Sequence, residues 1–321
     1  MRREGSPWQG LNTVVLKELA DHTSSVRMFV LQLIVMALGF TVLYGGAITK
    51  LKETTSEDPF LLLRLFTTDR SPFPSFVFVL TLFLPLMAIG LGFDAINGEH
   101  NRRTLSRILA QPIYRDALLA GKFLAGLATL GICLIGLWLL VVGVGMWNLG
   151  VPPGGEEIVR SLIFLVLALA YAGVWLALAM LLSIVFRSPA TAALIALGIW
   201  LFFTLIWPML AQGLAEAIAP PDDRYQLLGL PTPATLEWTQ GLLRLSPNDL
   251  FSEVILAVLS PDTRSLGPIF LSQLQGAVLG APLPLGQSLM LAWPQAVSLI
   301  ATTIVLFVIG YISFQRQEVR A

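Results

Sequence analysis

Six stretches of this chain are each long and apolar enough to cross a bilayer, and they leave little freedom about its class. They lie near residues 28–49, 73–96, 122–147, 158–186, 190–215 and 292–314. About 20 apolar residues span the hydrocarbon core as a helix. Backbone facing lipid must satisfy its own N–H and C=O groups, so each run is expected to be helical. Composition agrees: 55% of residues are hydrophobic and 12% charged, about half the charge of an ordinary soluble domain, and mean hydropathy is +0.77. The expectation is an all-α polytopic membrane protein, one transmembrane domain over residues 1–321. Net charge is zero, so nothing global points to nucleic acid as a partner. The lone Cys133 sits in an apolar run, which excludes an internal disulfide framework and a cysteine zinc site.

Ahead of the first run there is no compact apolar region followed by small residues, so a cleaved signal is not expected. Instead Trp8, Leu11, Val15 and Leu19 recur at helical spacing with Gln9, Asn12, Lys17 and Asp21 between them. Residues 8–22 therefore read as an amphipathic helix in the membrane interface, with Lys17 and Arg27 near headgroups. A helix packed on the protein's own inner side is the alternative. Pro85 and Pro208 fall inside the second and fifth runs and remove a backbone donor from each.

Basic residues set the expected orientation. With the N-terminus inside, twelve of the 20 Lys and Arg fall on the inner side and eight on the outer. Both termini and residues 97–121 are then cytoplasmic, and the protein is a multi-pass component of the cytoplasmic (inner) membrane. A long extracytoplasmic loop, 216–291, precedes the last span. It holds a helix start at Ser246-Pro247-Asn248-Asp249, followed by Leu250–Leu259 and by a second short apolar piece, Ile269–Leu279. Pieces of this length fit either re-entrant half-helices or a small outer cap.

Chemistry is conspicuous by absence. No Lys, Arg, Glu or His stands in the middle of a run, where ion-coupled carriers place their coupling groups. Ala120-Gly121-Lys122-Phe123 is no phosphate loop, since Asp116 stands where glycine is required and Phe123 replaces the metal-binding hydroxyl. Lys122 instead reads as a snorkelling residue at the end of the third span. There is no HExxH or GxSxG, and Glu99-His100 with Asp94 makes only a weak metal or acid–base group. No catalytic, cofactor or metal-ligating residue is assigned.

The one polar island among the spans is Asp94–Lys122. Thr104, Leu105, Ile108 and Leu109 form an apolar helical edge, Arg102, Arg103 and Arg107 lie off it, and Pro112 ends it. Charge alone would leave this as an ordinary positive inner loop. Its order of residues goes further: Glu99, Thr104-Leu105, Ile108-Leu109, Pro112-Ile113-Tyr114-Arg115 and Gly121-Lys122-Phe123 resemble the signature of ABC-2-type transporter permeases. Lys17-Glu18-Leu19 before the first span is similar to that family's N-terminal elbow. The stretch Leu245–Phe251 and the ending Phe314-Gln315-Arg316 look most like the NosY-type members.

The resemblance implies a non-catalytic permease subunit, an exporter, working with a second identical or homologous permease chain and with separate ABC ATPase subunits that bind ATP and Mg. Residues 99–115 would be the helix docked on the ATPase. Leu105, Ile108 and Leu109 would be its buried contacts, and Arg102, Arg103 and Arg107 its rim, with Glu99, Thr104, Pro112 and Arg115 completing the element. The long 216–291 loop keeps a second role open, in which ATP cycles act on an extracytoplasmic protein as a mechanotransmitter or assembly platform without substrate crossing.

Overall fold

A computed structural model describes residues 10–53, 60–101, 114–150, 152–220, 232–266 and 282–316. Among them there is no β-strand, only an isolated bridge between Arg70 and Phe73. Six helices are long and apolar enough to span a membrane.

The chain begins with α1 (Leu11–Thr23). The first span, α2 (Val26–Lys52), follows after a Ser25 cap whose hydroxyl accepts from the Met28 amide. α3 (Leu61–Thr67) is a short helix at the far end of the bundle. The second span comprises α4 (Phe76–Gly92), a turn, and the single-turn α5 (Asn97–Asn101). α6 (Arg115–Leu149), 35 residues long, is the third span, and α7 (Gly155–Val185) the fourth. α8 (Pro189–Ile218) is the fifth. A helical hairpin follows, α9 (Pro233–Leu243) and α10 (Pro247–Leu259), and the last span is α11 (Leu285–Arg316). Each span overlaps one of the six apolar runs, with ends differing by one to seven residues.

α7 is the axis. In its most apolar window 67% is buried in the protein, against 6% for α8. α11, α4, α10, α6 and α8 all pack on it. Glycines allow the closest crossings. A Cβ on Gly92 would come 2.8 Å from the Ala179 Cβ and 3.1 Å from the Leu176 carbonyl, so α4 and α7 touch backbone to backbone there.

The two expected proline disturbances differ. Pro85 sits inside α4. Pro208 follows a π-helical turn, Phe202–Ile206, which divides α8 and puts the proline in the first turn of the segment beyond it, where a missing N–H costs little. A second π-helical turn, Leu43–Ile48, occurs in α2, where Gly45 and Gly46 lie against the Phe73 side chain.

The segment before the last span enters the bundle. Ser246 caps α10 as its sequence predicts, accepting from the Asn248 and Asp249 amides. Tyr171, midway along α7, donates to Asn248 Oδ1 at 2.7 Å and stacks on Phe251 with ring centroids 4.3 Å apart. The Asn248 amide reaches Thr204, in the π-turn of α8, at 2.8 Å. At the other end of α10, Arg160 donates to the Val258 carbonyl. Tyr171 lies eleven residues beyond Arg160 in α7, about 16 Å, and Asn248 and Val258 are about 15 Å apart along α10. α10 therefore runs antiparallel to α7, from the middle of the bundle back to its far end. It is a re-entrant helix, and Phe251, Val254, Ala257 and Val258 have no exposure at all. The second apolar piece, Ile269–Leu279, lies outside the described residues.

Arg160, placed by orientation counting in an outer loop, is a wholly buried member of α7. It also donates to Ser288 and to the Leu283 carbonyl and pairs with Glu156, so it clasps α10 and the start of α11 together. Burial is tolerated because its donors meet several acceptors.

Gly92→Val should cost about 1–3 kcal/mol by overpacking the α4–α7 crossing, read as a lowered melting temperature in detergent. Gly198→Ala, at a position with nothing within 4 Å, is the control and should be neutral or slightly stabilising.

Candidate functional site

At the α1 end of the bundle, charge is concentrated around a cavity of about 330 Å³. α1 crosses the start of α6 over Gly121, where an added Cβ would meet Val14 at 2.6 Å. That approach buries one face of α1, including Val14 and Glu18. Lys122 follows Gly121, and its ammonium donates to Glu18 at 2.8 Å and to Glu99 of α5 at 3.1 Å. Lys17 joins from the side, 2.9 Å from both Glu18 and Asp21. Burial pulls the Lys17 pKa down, but bonds to Asp21 and Glu18 outweigh it and hold the group above its ordinary value.

A second pair braces the neighbouring wall. Arg27, at the start of α2, makes two bonds to Asp94 after α4, at 3.0 and 3.3 Å, and lies over the Phe93 ring. Ser183 of α7 accepts from the Ile96 and Asn97 amides, and the Asn97 side chain donates to the Phe186 carbonyl. Beside them, Asp116 in the first turn of α6 accepts from Gln315 near the end of α11. The chain entering and leaving residues 102–113 is thus held on both sides by the spans themselves.

A second cavity, of about 400 Å³, lies between α4, the π-turn of α8 and α10. Thr81, Thr204, Asn248, Asp249 and Ser252 line it together with Phe78 and Phe203. Asp249 Oδ2 has no hydrogen-bond partner among the described residues.

The family model for ABC-2 family transporter proteins matches residues 12–319. The chain belongs to the ABC-2 transporter family. It is 29% identical over 236 residues to the protein named "Probable ABC transporter permease protein NosY" from Stutzerimonas stutzeri, covering 71% of this chain and 77% of that protein. It is also 29% identical over 238 residues to the protein of that name from Pseudomonas aeruginosa, covering 68% and 80%. This ABC-2 protein is accordingly a permease subunit of an ABC transporter, a multi-pass protein of the inner membrane. That role implies an ABC ATPase and a permease partner.

Of the residues assigned to the ATPase-docking element, Glu99 lies on α5 and Arg115 opens α6. Arg102, Arg103, Thr104, Leu105, Ile108, Leu109 and Pro112 lie outside the described residues, as do Arg107 and, in the N-terminal stripe, Trp8. Leu11, Val15 and Leu19 are half-buried on α1. Lys122 does not snorkel: it is 5% exposed, because two carboxylates meet it inside the protein. Sequence reading missed Glu18. Its signal is an acid set on the helical stripe of Leu11, Val14 and Val15, where an unpaired charge would be costly. Among the described residues no group of three side chains could hold a metal ion.

His22, on α1, borders the charged cavity and is half-buried there. Burial lowers its pKa from the ordinary 6.5; Lys122 and Arg27 act in the same direction, while Glu18 and Asp94 oppose. A histidine depressed in the folded state contributes stability that is complete above its unfolded value and is lost as pH falls through the folded one. Acidification below about pH 6.5 should therefore loosen α1, seen as faster amide exchange over residues 11–23. His22→Gln should flatten that dependence.

Proposed function

We propose that this permease subunit moves a substrate outward across the inner membrane, with ATP bound as its Mg complex and hydrolysed by a separate ATPase docked on residues 99–115. In this reading both termini and the α1 end face the cytoplasm, and the α9–α10 hairpin enters from the outside. The second permease chain meets the subunit along the little-buried α8. The observation carrying translocation is the second cavity. Polar side chains at the middle of a greasy bundle are expensive and face a route or a partner. Here they line a space beside the π-turn of the span least covered by its own chain.

A second reading has its own support. Arg160 ties α10 to α7 and α11, so movement of those spans would carry the outer segment with it. ATP cycles could then act on an extracytoplasmic protein with no substrate crossing.

Leu105→Asp with Ile108→Asp should abolish co-purification of the ATPase while leaving the protein membrane-inserted; normal ATPase binding would remove the docking assignment. Leu82→Trp, which fills the cavity from α4 and leaves the bonds that hold α10 in place, separates the two readings. Translocation predicts that it fails to complement a strain lacking this chain although ATPase binding is intact. Mechanotransmission predicts full complementation.

A further inference from the structure

The ionic cluster at Lys122 is hard to explain as a source of stability. Lys122 and Glu18 are 5% and 7% exposed, and Glu99 is close behind them. Desolvating three charges costs about as much as their attraction returns, and neutral side chains of similar size commonly serve a fold as well or better. What ions do that neutral groups do not is fix partners: a broken set leaves a buried charge, so the elements carrying it stay together. The elements here are distinctive. Glu18 belongs to α1, Lys122 to the long α6, and Glu99 to α5, at the start of the segment 99–115.

The packing around the cluster leaves few other ties between α1 and α5. α1 rests on α6 through Val14 over Gly121. α5 and the turn before it are held by α7, through Ser183 and Phe186, and by Arg27 of α2, through Asp94. The route from α5 to α1 runs through the Lys122 ammonium, supported by Lys17, 4.0 Å from Glu99. A displacement of the chain at Asn101 therefore reaches α6 and α1 through these charges.

We infer that Lys122 is a positioning residue for energy coupling, holding Glu99 to Glu18 so that the entrance to the docking segment, the third span and α1 move as one body. This rests on the reading that residues 99–115 receive the ATPase. It predicts a split that a purely structural role would not give. Lys122→Met alone leaves the buried Glu18 with the exposed Lys17 as its remaining ionic partner and destabilises the protein. The neutral triple variant Glu18→Gln, Lys122→Met, Glu99→Gln removes the three charges that join the elements and leaves the exposed Lys17 paired with Asp21, so it inserts and melts at or above the wild-type temperature and retains the ATPase, yet transmits poorly. Lys122→Arg preserves transmission.

The test uses the full permease–ATPase complex in lipid nanodiscs, with spin labels at Ala20→Cys and His100→Cys, both exposed, on a Cys133→Ala background. Distances between the labels are measured without nucleotide and after trapping with ATP and vanadate. The wild-type cluster and Lys122→Arg should give one narrow distance in both states. The triple variant should keep the narrow distance without nucleotide and lose it on trapping.

A triple variant that keeps the narrow distance on trapping overturns the proposal. So does one that inserts but loses the ATPase, since the cluster would then build the docking face. A triple variant that does not insert, with Glu18→Gln and Glu99→Gln singly indistinguishable from wild type, overturns it too. If Leu105→Asp with Ile108→Asp still binds the ATPase, the docking reading fails, while the label distances go on reporting the joint.

Discussion

Hydrogen bonds made out of reach of water set the registry of this protein, and one helix carries most of them. Apolar side chains discriminate poorly between helix partners in a bilayer, because lipid tails are as apolar as leucine. α7 solves this with five polar positions, which between them reach α3, α6, α10, α11 and the turn after α4. Glu157 accepts from the first turn of α3, and Arg160 clasps α10 and α11. Ser161 receives the Trp138 indole of α6, Tyr171 reaches Asn248 of α10, and Ser183 holds the turn after α4. Glycine contacts bring the helices close; these bonds decide at what height each one sits. The re-entrant helix depends on both ends of this scheme, since its Asn248 side-chain oxygen and its Val258 carbonyl are bonded by the same span.

The division of labour at the two ends follows from the type of bond. Around Tyr171 the partners are neutral and the geometry includes ring stacking, which suits a fixed insertion. At the α1 end the partners are ions, grouped where three elements converge on the chain leading to residues 102–113. Ionic contacts exposed on one side are adjustable by protonation and salt, and His22 sits among them. The greasy middle and the charged end thus have different responses to their surroundings although they share α7 as a wall.

Much of this was legible in the sequence. Length and hydropathy of the runs place all six spans, and the Ser246-Pro247-Asn248-Asp249 cap starts α10 where local chemistry says it should. The order of residues from Glu99 to Phe123 points to the family. Other parts depended on pairing between distant segments, which periodicity does not encode. Lys122 looked like a lysine reaching for headgroups because Glu18 is more than a hundred residues away. Arg160 looked like a loop cation because its acceptors belong to α10 and to the approach to α11. Whether Leu250–Leu259 re-enters or caps was undetermined by length, and is decided by Tyr171 and Thr204, two hydroxyls inside runs that otherwise read as featureless.

The 35 residues of α6 amount to about 52 Å of helix, against a hydrocarbon thickness of about 30 Å. A rod that overshoots its solvent so far is not anchored vertically by it, since tilting or sliding changes the mismatch at small cost per ångström. Its draught in the bilayer is therefore set by moorings. One lies at each end: Lys122 against Glu18 and Glu99, and Asn148, which receives Lys52 of α2. A thinner or thicker membrane would be met by changes in the angle of this rod between its two fixed points, leaving the spacing of the points themselves to the protein.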